Sequence, residues 1–430
     1  MSRSAASRDG KFRGRPLIPV LFFATPLLTA VAPRLAPFLL LILAIVLIVA
    51  VLRRGLAWRA LLEPNPAMMA LAALAAYAVL SAIWAAEPDE AVSKGLLLLA
   101  VTFVVFAVAA AIPSLDAEQI RRAGIAFVAG ALCAALFVTI EVLTTGALTR
   151  AAMNVIPVLQ PDTAKRIKIV DGRVTYIRGA VFNQHVVMLA FQLWPGLLAL
   201  STLQSPRRGL LGALFFIALA VPISLSEHDS SQIGLIASAL VLLLAWVQSR
   251  AAIRGFALAW CLGFALVLPL AFLSYKAELH LTDWLPQSAR ARIIIWEYTA
   301  ERVFERPWLG IGADSTPGSK AAPAKLDKPK GFVQPRTTGH HAHNLFLQTW
   351  YELGLVGALL AAIAGAAVVL RILLLPERAQ AYGAAAFTMF AAIAAFAFGM
   401  WQVWLISAVG LLVVYLLMAA ALCRPGAGLK

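Results

Sequence analysis

The feature that most constrains the fold of this chain is a succession of twelve apolar stretches, each long enough to form a helix that crosses a bilayer. A hydrocarbon core of about 30 Å requires about 20 apolar residues in an α-helix. Apolar residues make up 61% of the 430 residues and the mean hydropathy is +0.84, well above the values of soluble domains. We therefore expect an all-α polytopic membrane protein. The predicted spans are 17–33, 35–52, 66–85, 95–113, 122–144, 179–202, 208–226, 231–249, 254–275, 344–370, 381–398 and 401–422.

The loops between the spans fall into two sets that differ in charge. One set is rich in arginine, whereas the short loops of the other, AEPDEAVSK and SEHDSSQ, are acidic. By the positive-inside rule the arginine-rich loops and the tails 1–16 and 423–430 are cytoplasmic. This topology accounts for most of the formal charge of +15, so nucleic acid is not an expected partner. The arginine-rich set contains Arg53, Arg54, Arg59, Arg121, Arg122, Arg207, Arg208, Arg250, Arg254, Arg371 and Arg378.

Two longer segments fall on the outer side although both are basic. The segment 145–178 interrupts spans 1–9 (17–275), and the larger segment 276–343, with short helices, precedes spans 10–12 (344–422). Long loops translocate despite their charge, so the basic excess requires its own reason, and an anionic ligand at the outer face supplies one. All six histidines also map to outer loops or outer helix ends. The sequence thus places its reactive groups at the outer face.

Three histidines are clustered at 340–343, where a hydrophilic segment gives way to the tenth span. If that span is one continuous helix, His343 lies in its first turn, on a face whose two glycines would let a neighbouring helix approach closely. Asn344 and Tyr351 would lie beside this face, and Glu352 would point elsewhere. The residues predicted on the face are His343, Leu347, Trp350, Gly354 and Gly357.

The histidine cluster has three interpretations. A neutral imidazole with an ordinary pKa near 6.5 can accept a proton at ambient pH, as a general base does. Metal binding is less favoured, because few carboxylates or cysteines accompany the cluster and the three cysteines are far apart in the sequence. A polar cap on a helix end remains the third interpretation. We therefore expect neither a metal site nor a disulfide.

Three arginines on the outer side are candidates for binding phosphate: Arg178, Arg292 and Arg336. A guanidinium group binds phosphate oxygens in a two-pronged arrangement and stays charged, so these residues could hold a diphosphate. The alternative is that they contact lipid headgroups. The surroundings of Arg178 favour phosphate binding, since the polar residues Asn183 and His185 follow it into an apolar span. The short outer loop that contains Glu227, His228 and Asp229 has two interpretations: its side chains face the same site, or they are solvated loop charges, and the second is favoured.

These residues form an ordered set of motifs that resembles the bacterial O-antigen ligases. His343-Asn344, nine residues and then Gly354-x-x-Gly357 match one signature of that family. Upstream, Arg178-Gly-x-x-Phe-Asn183 is similar to a second block with a one-residue difference in spacing. A third block is similar to the segment from Arg292 to Gly312, which contains Trp296, Pro307 and Gly310. The acidic loop SEHDSS departs from the Ser-Arg pair of many relatives.

The resemblance implies an integral-membrane glycosyltransferase of the GT-C-like kind, working without a cofactor. It would move glycan from undecaprenyl diphosphate to a sugar hydroxyl of lipid A–core, at the periplasmic face of the bacterial inner membrane. His343 would be the general base, and Arg178 and Arg292 would stabilise the departing diphosphate. The residues expected to contact substrate are Arg336, Asn344, Asn183, His185, Trp350 and Tyr351.

Two other functions remain open. An O-antigen polymerase would use the same donor with a second lipid-linked glycan as acceptor. A transporter of lipid-linked glycans or solutes belongs to a different class, in which ionisable groups lie near the middle of the bilayer. Here the charged groups gather at the outer face, which favours surface chemistry over transport.

Overall fold

The computed structural model of the chain describes residues 17–159, 166–317 and 337–429, so the predicted tail 1–16 lies outside the described residues. Ten helices in the described ranges are long and apolar enough to cross a membrane. The predicted class, an all-α polytopic membrane protein, is confirmed. The elements are α1 (Leu17–Val31), α2 (Ala36–Leu52), α3 (Pro66–Leu80), α4 (Pro88–Ala111), α5 (Ala117–Leu143), α6 (Ala147–Val155), β1 (Ile167–Val170), β2 (Arg173–Ile177), α7 (Asn183–Ser201), α8 (Arg208–Leu225), α9 (Asp229–Lys276), α10 (Gln287–Val303), α11 (Leu345–Arg371), α12 (Glu377–Phe396) and α13 (Val403–Ala421).

Helix α9 contains two of the predicted spans and reverses direction between them. A straight helix of its 48 residues would be about 72 Å long. The Ser288 hydroxyl nevertheless donates to Asp229 at the start of α9, over 3.1 Å. Ser288 follows the end of α9 by 12 residues, which extend over at most about 43 Å. The non-helical backbone of Gln248 (φ −144°, ψ 75°) marks the reversal. With the two arms counted separately and the shorter α1 added, each predicted span coincides with a helix.

The central helices of the bundle are α7, α12 and α13. Their most apolar windows are 78%, 67% and 72% buried, whereas the corresponding windows of the other long helices are at most 50% buried and leave more surface for lipid. Buried polar groups join the central helices to their neighbours. The Trp194 indole on α7 donates to the Ser238 hydroxyl over 3.0 Å, and the Gln192 amide donates to the Pro26 carbonyl of α1 over 2.9 Å.

The two sets of loops lie at opposite ends of the bundle. At one end the arginine-rich loops are tied together, as by Arg54, which pairs with Asp116 at 3.0 Å, and by Arg424, which donates to the Pro113 carbonyl. The other end contains the loop before α9, the segment around α10 and the residues that precede α11. The candidate site residues belong to this second end.

The outer segment 145–178 contains elements that the sequence analysis did not predict. Helix α6 is followed by the antiparallel hairpin of β1 and β2, in which Ile167 pairs with Ile177. The Asn154 side chain joins helix to hairpin, since it accepts from the Val174 amide at 2.7 Å and donates to the Val174 carbonyl. The hairpin leads directly into Arg178 and α7.

Helix α11 is broken at Gly354, so the prediction of one continuous helix is wrong. Gly354 has φ 64° and ψ −163°, a conformation that other residues rarely adopt. The turn 307–312 packs beside the break, where the carbonyls of Pro307 and Trp308 accept from the amides that follow Gly354. A methyl group on Gly354 would lie 2.4 Å from the Trp308 carbonyl carbon, and one on Gly310 would lie 2.3 Å from that of Glu352. The glycines therefore admit the backbone of a turn, whereas a neighbouring helix was expected there.

Candidate active site

The short linker between α12 and α13, residues 397–402, gathers three histidines. His343 Nδ1 lies 2.6 Å from the Ala397 carbonyl oxygen. The His341 ring packs against Gly399, whose missing Cβ would lie 3.0 Å from it. The His228 ring lies over Phe398, with 5.3 Å between the ring centroids. The linker thus brings together residues from two separate regions of the sequence.

His343 lies before helix α11 and not in its first turn. Asn344 is the N-cap of α11, where its side chain accepts from the Leu347 amide over 3.1 Å, and it is only 7% exposed. His343 has φ 53°, a left-handed conformation that costs a non-glycine residue about 1–2 kcal/mol. This backbone conformation turns the imidazole towards the linker. The predicted position in the first turn is therefore wrong by two residues, and Asn344 has a structural role that the pattern did not indicate.

The hydrogen bonds of the two neighbouring histidines fix their tautomers. A carbonyl oxygen can only accept, so the proton of neutral His343 is on Nδ1 and its Nε2 carries a free lone pair. None of the described residues hydrogen-bonds this Nε2. His341 Nδ1 accepts from the His343 backbone amide over 3.2 Å, which places the proton of His341 on its other nitrogen. His343 is thus oriented as a proton acceptor.

Arg292 on helix α10 provides the positive charge beside these rings. One helical turn later the Trp296 indole donates to the Ala342 carbonyl over 2.9 Å, which docks α10 against the histidine loop. Burial lowers the pKa of Arg292, and the negative charge of Asp229, at the start of α9, partly offsets this effect. We call His228, His341, His343 and Arg292 the imidazole corner.

Burial and the Arg292 charge keep the imidazoles neutral. Burial first, and then the guanidinium, lowers the pKa of His228 to about 4. Burial lowers the pKa of His341 to about 3, with further contributions from His343, His340 and Arg292. The pKa of His343 is lowered by burial and by Arg292, against the Ala397 hydrogen bond, which raises it. The corner therefore combines one permanent cation with unprotonated imidazoles, an arrangement suited to an anion and a proton transfer.

Arg178 belongs to a loop that lies next to the corner. It is exposed and precedes Gly179, where a Cβ would lie 2.4 Å from the Glu227 carboxyl group. Glu227 is the residue before His228, so the Arg178 loop packs on the loop that enters the corner. The structure brings Arg292, His343 and His228 together and places Arg178 in the adjoining loop.

The other predicted contact residues are distributed differently. His185 Nδ1 lies 2.7 Å from the Ala30 carbonyl of α1, and the Trp350 indole donates to the Phe264 carbonyl of α9 over 2.8 Å. Both side chains thus join helices to each other. Tyr351 is buried in a neighbouring apolar cluster, and Asn183 is half-buried at the start of α7. Their roles in substrate binding stay predictions. Arg336, the last of the predicted contact residues, lies outside the described residues.

Glu352 is a central residue that the sequence analysis did not select. It is fully buried, and its carboxyl oxygens accept from the Thr316 hydroxyl, the Gln348 amide, the Trp401 indole and the Asp314 backbone amide. Gln348 also accepts from the Met400 amide of the linker over 3.1 Å. Glu352 therefore ties helix α11 and the turn after α10 to the linker that holds His343. A lone glutamate within an apolar run was the available signal.

His228 was also not selected, because the charged residues on either side of it favoured a solvated loop over the alternative that it faces the site. It is 4% exposed, and its Nδ1 lies 2.7 Å from the Ser231 hydroxyl.

In the described part of the chain, no group of three or more histidine, cysteine, aspartate or glutamate residues is arranged to hold a metal ion.

An apolar cavity of about 470 Å³ extends from the linker through the bundle. It lies between α3, α4, α11, α12 and α13. Phe398, Met400 and Trp401 line it near the imidazole corner, and Arg371 and Leu374 line it near the opposite end. The cavity and the corner thus share the linker as a wall.

Comparison with protein families identifies the segment that forms most of this site. The family model described as O-antigen ligase matches residues 212–362. The match includes Arg292, the His343–Asn344 pair and the break of α11 at Gly354, whereas Arg178 and Asn183 precede it. No curated protein matches the chain. Residues 212–362 of the chain are thus similar to the O-antigen ligases, and this similarity points to a membrane glycosyltransferase of the ligase or polymerase type in lipopolysaccharide biosynthesis.

Proposed function

We propose that the protein is an O-antigen ligase that transfers glycan from undecaprenyl diphosphate to a sugar hydroxyl of lipid A–core. The observation that carries the proposal is the free Nε2 of a neutral His343, fixed by the Ala397 carbonyl beside Arg292. A base and a cation in one corner match the needs of a reaction in which a hydroxyl loses a proton and a diphosphate departs.

The reaction is a single displacement at the anomeric carbon. The acceptor hydroxyl oxygen attacks this carbon while His343 Nε2 takes its proton. The bond from the anomeric carbon to the phosphate oxygen breaks, and undecaprenyl diphosphate leaves with the electron pair. One displacement inverts the configuration. General base catalysis of this kind contributes on the order of 10²–10⁴ in rate.

Arg292 and Arg178 stabilise the negative charge that develops on the diphosphate. Guanidinium groups match phosphate oxygens in geometry and do not need to gain a proton during the reaction. Arg292 acts within the corner, and Arg178 acts from the loop that packs against Glu227. Arg336 is proposed to contact the donor as well. In this mechanism no metal ion is required.

The apolar cavity supports a donor that carries a lipid. A chain of isoprene units is apolar, and the cavity opens beside the linker that holds His343. The donor thereby presents its diphosphate to the corner while part of its chain stays among the helices. In this proposal the protein lies in the bacterial inner membrane, and the end that carries the corner faces the periplasm.

Transfer by purified protein tests the proposal. Undecaprenyl-diphosphate-linked glycan is supplied with lipid A–core, with and without EDTA, to the wild type and to His343→Ala at matched melting temperature. We expect transfer that resists EDTA and falls by about 10²–10⁴ in the variant. Full activity of the variant would remove His343 from the mechanism. Elongation of the lipid-linked glycan without transfer to lipid A–core would instead identify a polymerase, and no transfer by either route would favour a transporter.

A further inference from the structure

A second cavity, of about 1210 Å³, opens at the end of the bundle opposite the imidazole corner. Its walls come from the last turn of α7, the first turns of α8 and α12, and the reversal of α9. Three arginines line this basic cavity, Arg208, Arg250 and Arg378, with Glu377 as the one acidic residue among the lining residues. The proposed transfer reaction uses none of these residues.

The reversal of α9 directs irregular backbone into the cavity. Gln248 is the non-helical residue, and Ser249, Arg250 and Ala251 follow it along the cavity wall. In a membrane protein, backbone of this kind is tolerated where it is covered by protein or lines a polar cavity. The fold therefore forms a polar cavity at this position. The enrichment of arginine at one membrane face does not by itself produce such a cavity.

The charges of this cavity are not balanced within the described part of the chain. Three guanidinium groups and one carboxylate leave a surplus of two positive charges. Arg378 donates to the Ser201 carbonyl over 3.3 Å, which uses one of its five N–H groups. Arg208 and Arg250 have no acceptor among the described residues. At the same end Arg54 is neutralised by Asp116. A concave site with unbalanced cations concentrates the positive field and attracts an anion.

The surroundings of the cavity favour an anion that carries acyl chains. Leu210, Leu244 and Val247 flank it on α8 and α9 and are 60%, 63% and 83% exposed, as expected of side chains that face lipid. Trp246 and Tyr382 meet edge to face on the cavity wall with 6.2 Å between ring centroids. Aromatic residues of this kind occupy the boundary between headgroups and hydrocarbon. A free phosphate would use only the arginines.

We propose that the basic cavity binds the headgroup of an anionic phospholipid, whose acyl chains lie on the exposed apolar faces of α8 and α9. Arg208 and Arg250 contact the phosphate oxygens, and Arg378, held by Ser201, adds a third positive charge. The bound lipid fills the concavity at the reversal of α9. It thereby connects α8, α9 and α12 at the end where their loops are short.

Native mass spectrometry of the full-length protein tests this site. The purified protein is titrated with cardiolipin and, separately, with phosphatidylcholine of matched acyl chains. The double variant Arg208→Ala/Arg250→Ala removes two lining charges. The matched control, Arg207→Ala/Arg254→Ala, removes two nearby charges that do not line the cavity, one from the residue before α8 and one from α9. Melting temperatures verify that all forms are folded.

We expect cardiolipin to bind more tightly than phosphatidylcholine, and the lining variant to weaken cardiolipin binding roughly thirtyfold while the control changes little. Equal binding of the two lipids, or an equal loss in both double variants, would overturn the proposal. A further arm adds inorganic phosphate at millimolar concentration. Displacement of cardiolipin by phosphate alone would identify a phosphate site and would also overturn it.

Discussion

The imidazole of His343 is held by the carbonyl oxygen of Ala397, which lies 54 residues further along the chain and 2.6 Å from Nδ1. The orientation of the proposed base is therefore set by the α12–α13 linker, whereas its own helix begins two residues later. Any change that displaces the linker displaces the proton acceptor. Activity and overall stability can consequently be separated by mutation at this site.

The pH dependence of transfer tests the charge state of His343. Its pKa is lowered from 6.5 by burial and by Arg292, so the ring is neutral above pH 6.5 and gains a proton only at lower pH. We expect kcat/KM to be constant from pH 7.5 to 6.5 and to fall below 6.5. Arg292→Gln removes one cause of the lowered pKa, so the residual activity should begin to fall at higher pH, whereas Arg292→Lys retains the charge. An acid limb above pH 6.5 in the wild type would contradict this assignment.

Stability should also decrease in acid because of His228 and His341. Their pKa values are about 4 and about 3 in the folded chain, and 6.5 is the ordinary value. Between pH 6.5 and about 4 the unfolded state binds more protons, so the free energy of unfolding falls as pH falls. The slope for each histidine is about 1.4 kcal/mol per pH unit. Thermal melting from pH 7 to 4.5 measures it, and His228→Asn should flatten the dependence.

Trp296 should matter more for transfer than for stability. Trp296→Phe removes the hydrogen bond to the Ala342 carbonyl, at a cost of about 1 kcal/mol, and loosens α10 from the histidine loop. A displacement of about 1 Å at a catalytic group can cost on the order of a hundredfold in rate. Trp284→Phe is the control, since Trp284 is 73% exposed near the same end. Equal effects of the two substitutions on kcat would contradict the proposed positioning.

Glu352→Gln should destabilise the protein and displace the linker. The amide nitrogen of glutamine cannot accept, so two of the four donors to Glu352 lose their acceptor. The expected loss is about 2–5 kcal/mol, measured by the melting temperature in detergent. Glu63→Gln, on an exposed loop, should change stability by less than about 0.5 kcal/mol. An unchanged melting temperature of Glu352→Gln would show that the donors find other acceptors.

Gly354→Ala should be strongly destabilising. Its positive φ disfavours any side chain, and a methyl group would overlap the Trp308 carbonyl, so the expected cost is at least about 3 kcal/mol. Gly255→Ala is the control on α9, because no atom lies within 4 Å of the added methyl group. The control should be neutral or stabilising by up to about 1 kcal/mol. Comparable losses for both variants would indicate that helix α11 is not broken at Gly354.

The spans could be predicted because a bilayer imposes a length and a composition on every helix that crosses it. The same periodicity could not reveal the break in α11. Gly354 fits the apolar pattern of a continuous helix, and only its contact with the turn at Trp308 requires a positive φ. The hairpin of β1 and β2 was missed for a related reason, since the hydrogen bonds of Asn154 that dock it depend on tertiary structure.

The candidate site was predictable where chemistry restricts the residue type. Arg292 and His343 could be selected because few side chains combine a permanent charge or a near-neutral pKa with a position at a membrane boundary. His228 could not, since its burial results from packing on Phe398, a residue 170 positions later in the chain. Asn344 was assigned to substrate by motif, although its side chain caps a helix. Sequence pattern alone did not separate the cap from a contact residue.

The linker that holds His343 has its other face towards the apolar cavity, through Phe398 and Met400. A lipid chain that fills the cavity would press on these side chains, and the carbonyl of Ala397 would move with them. A donor with a shortened lipid would then lose turnover rate as well as affinity, since binding energy far from the anomeric carbon would help to align the base. The lipid of the donor would thus act as an activator of its own transfer, in addition to anchoring the glycan in the membrane.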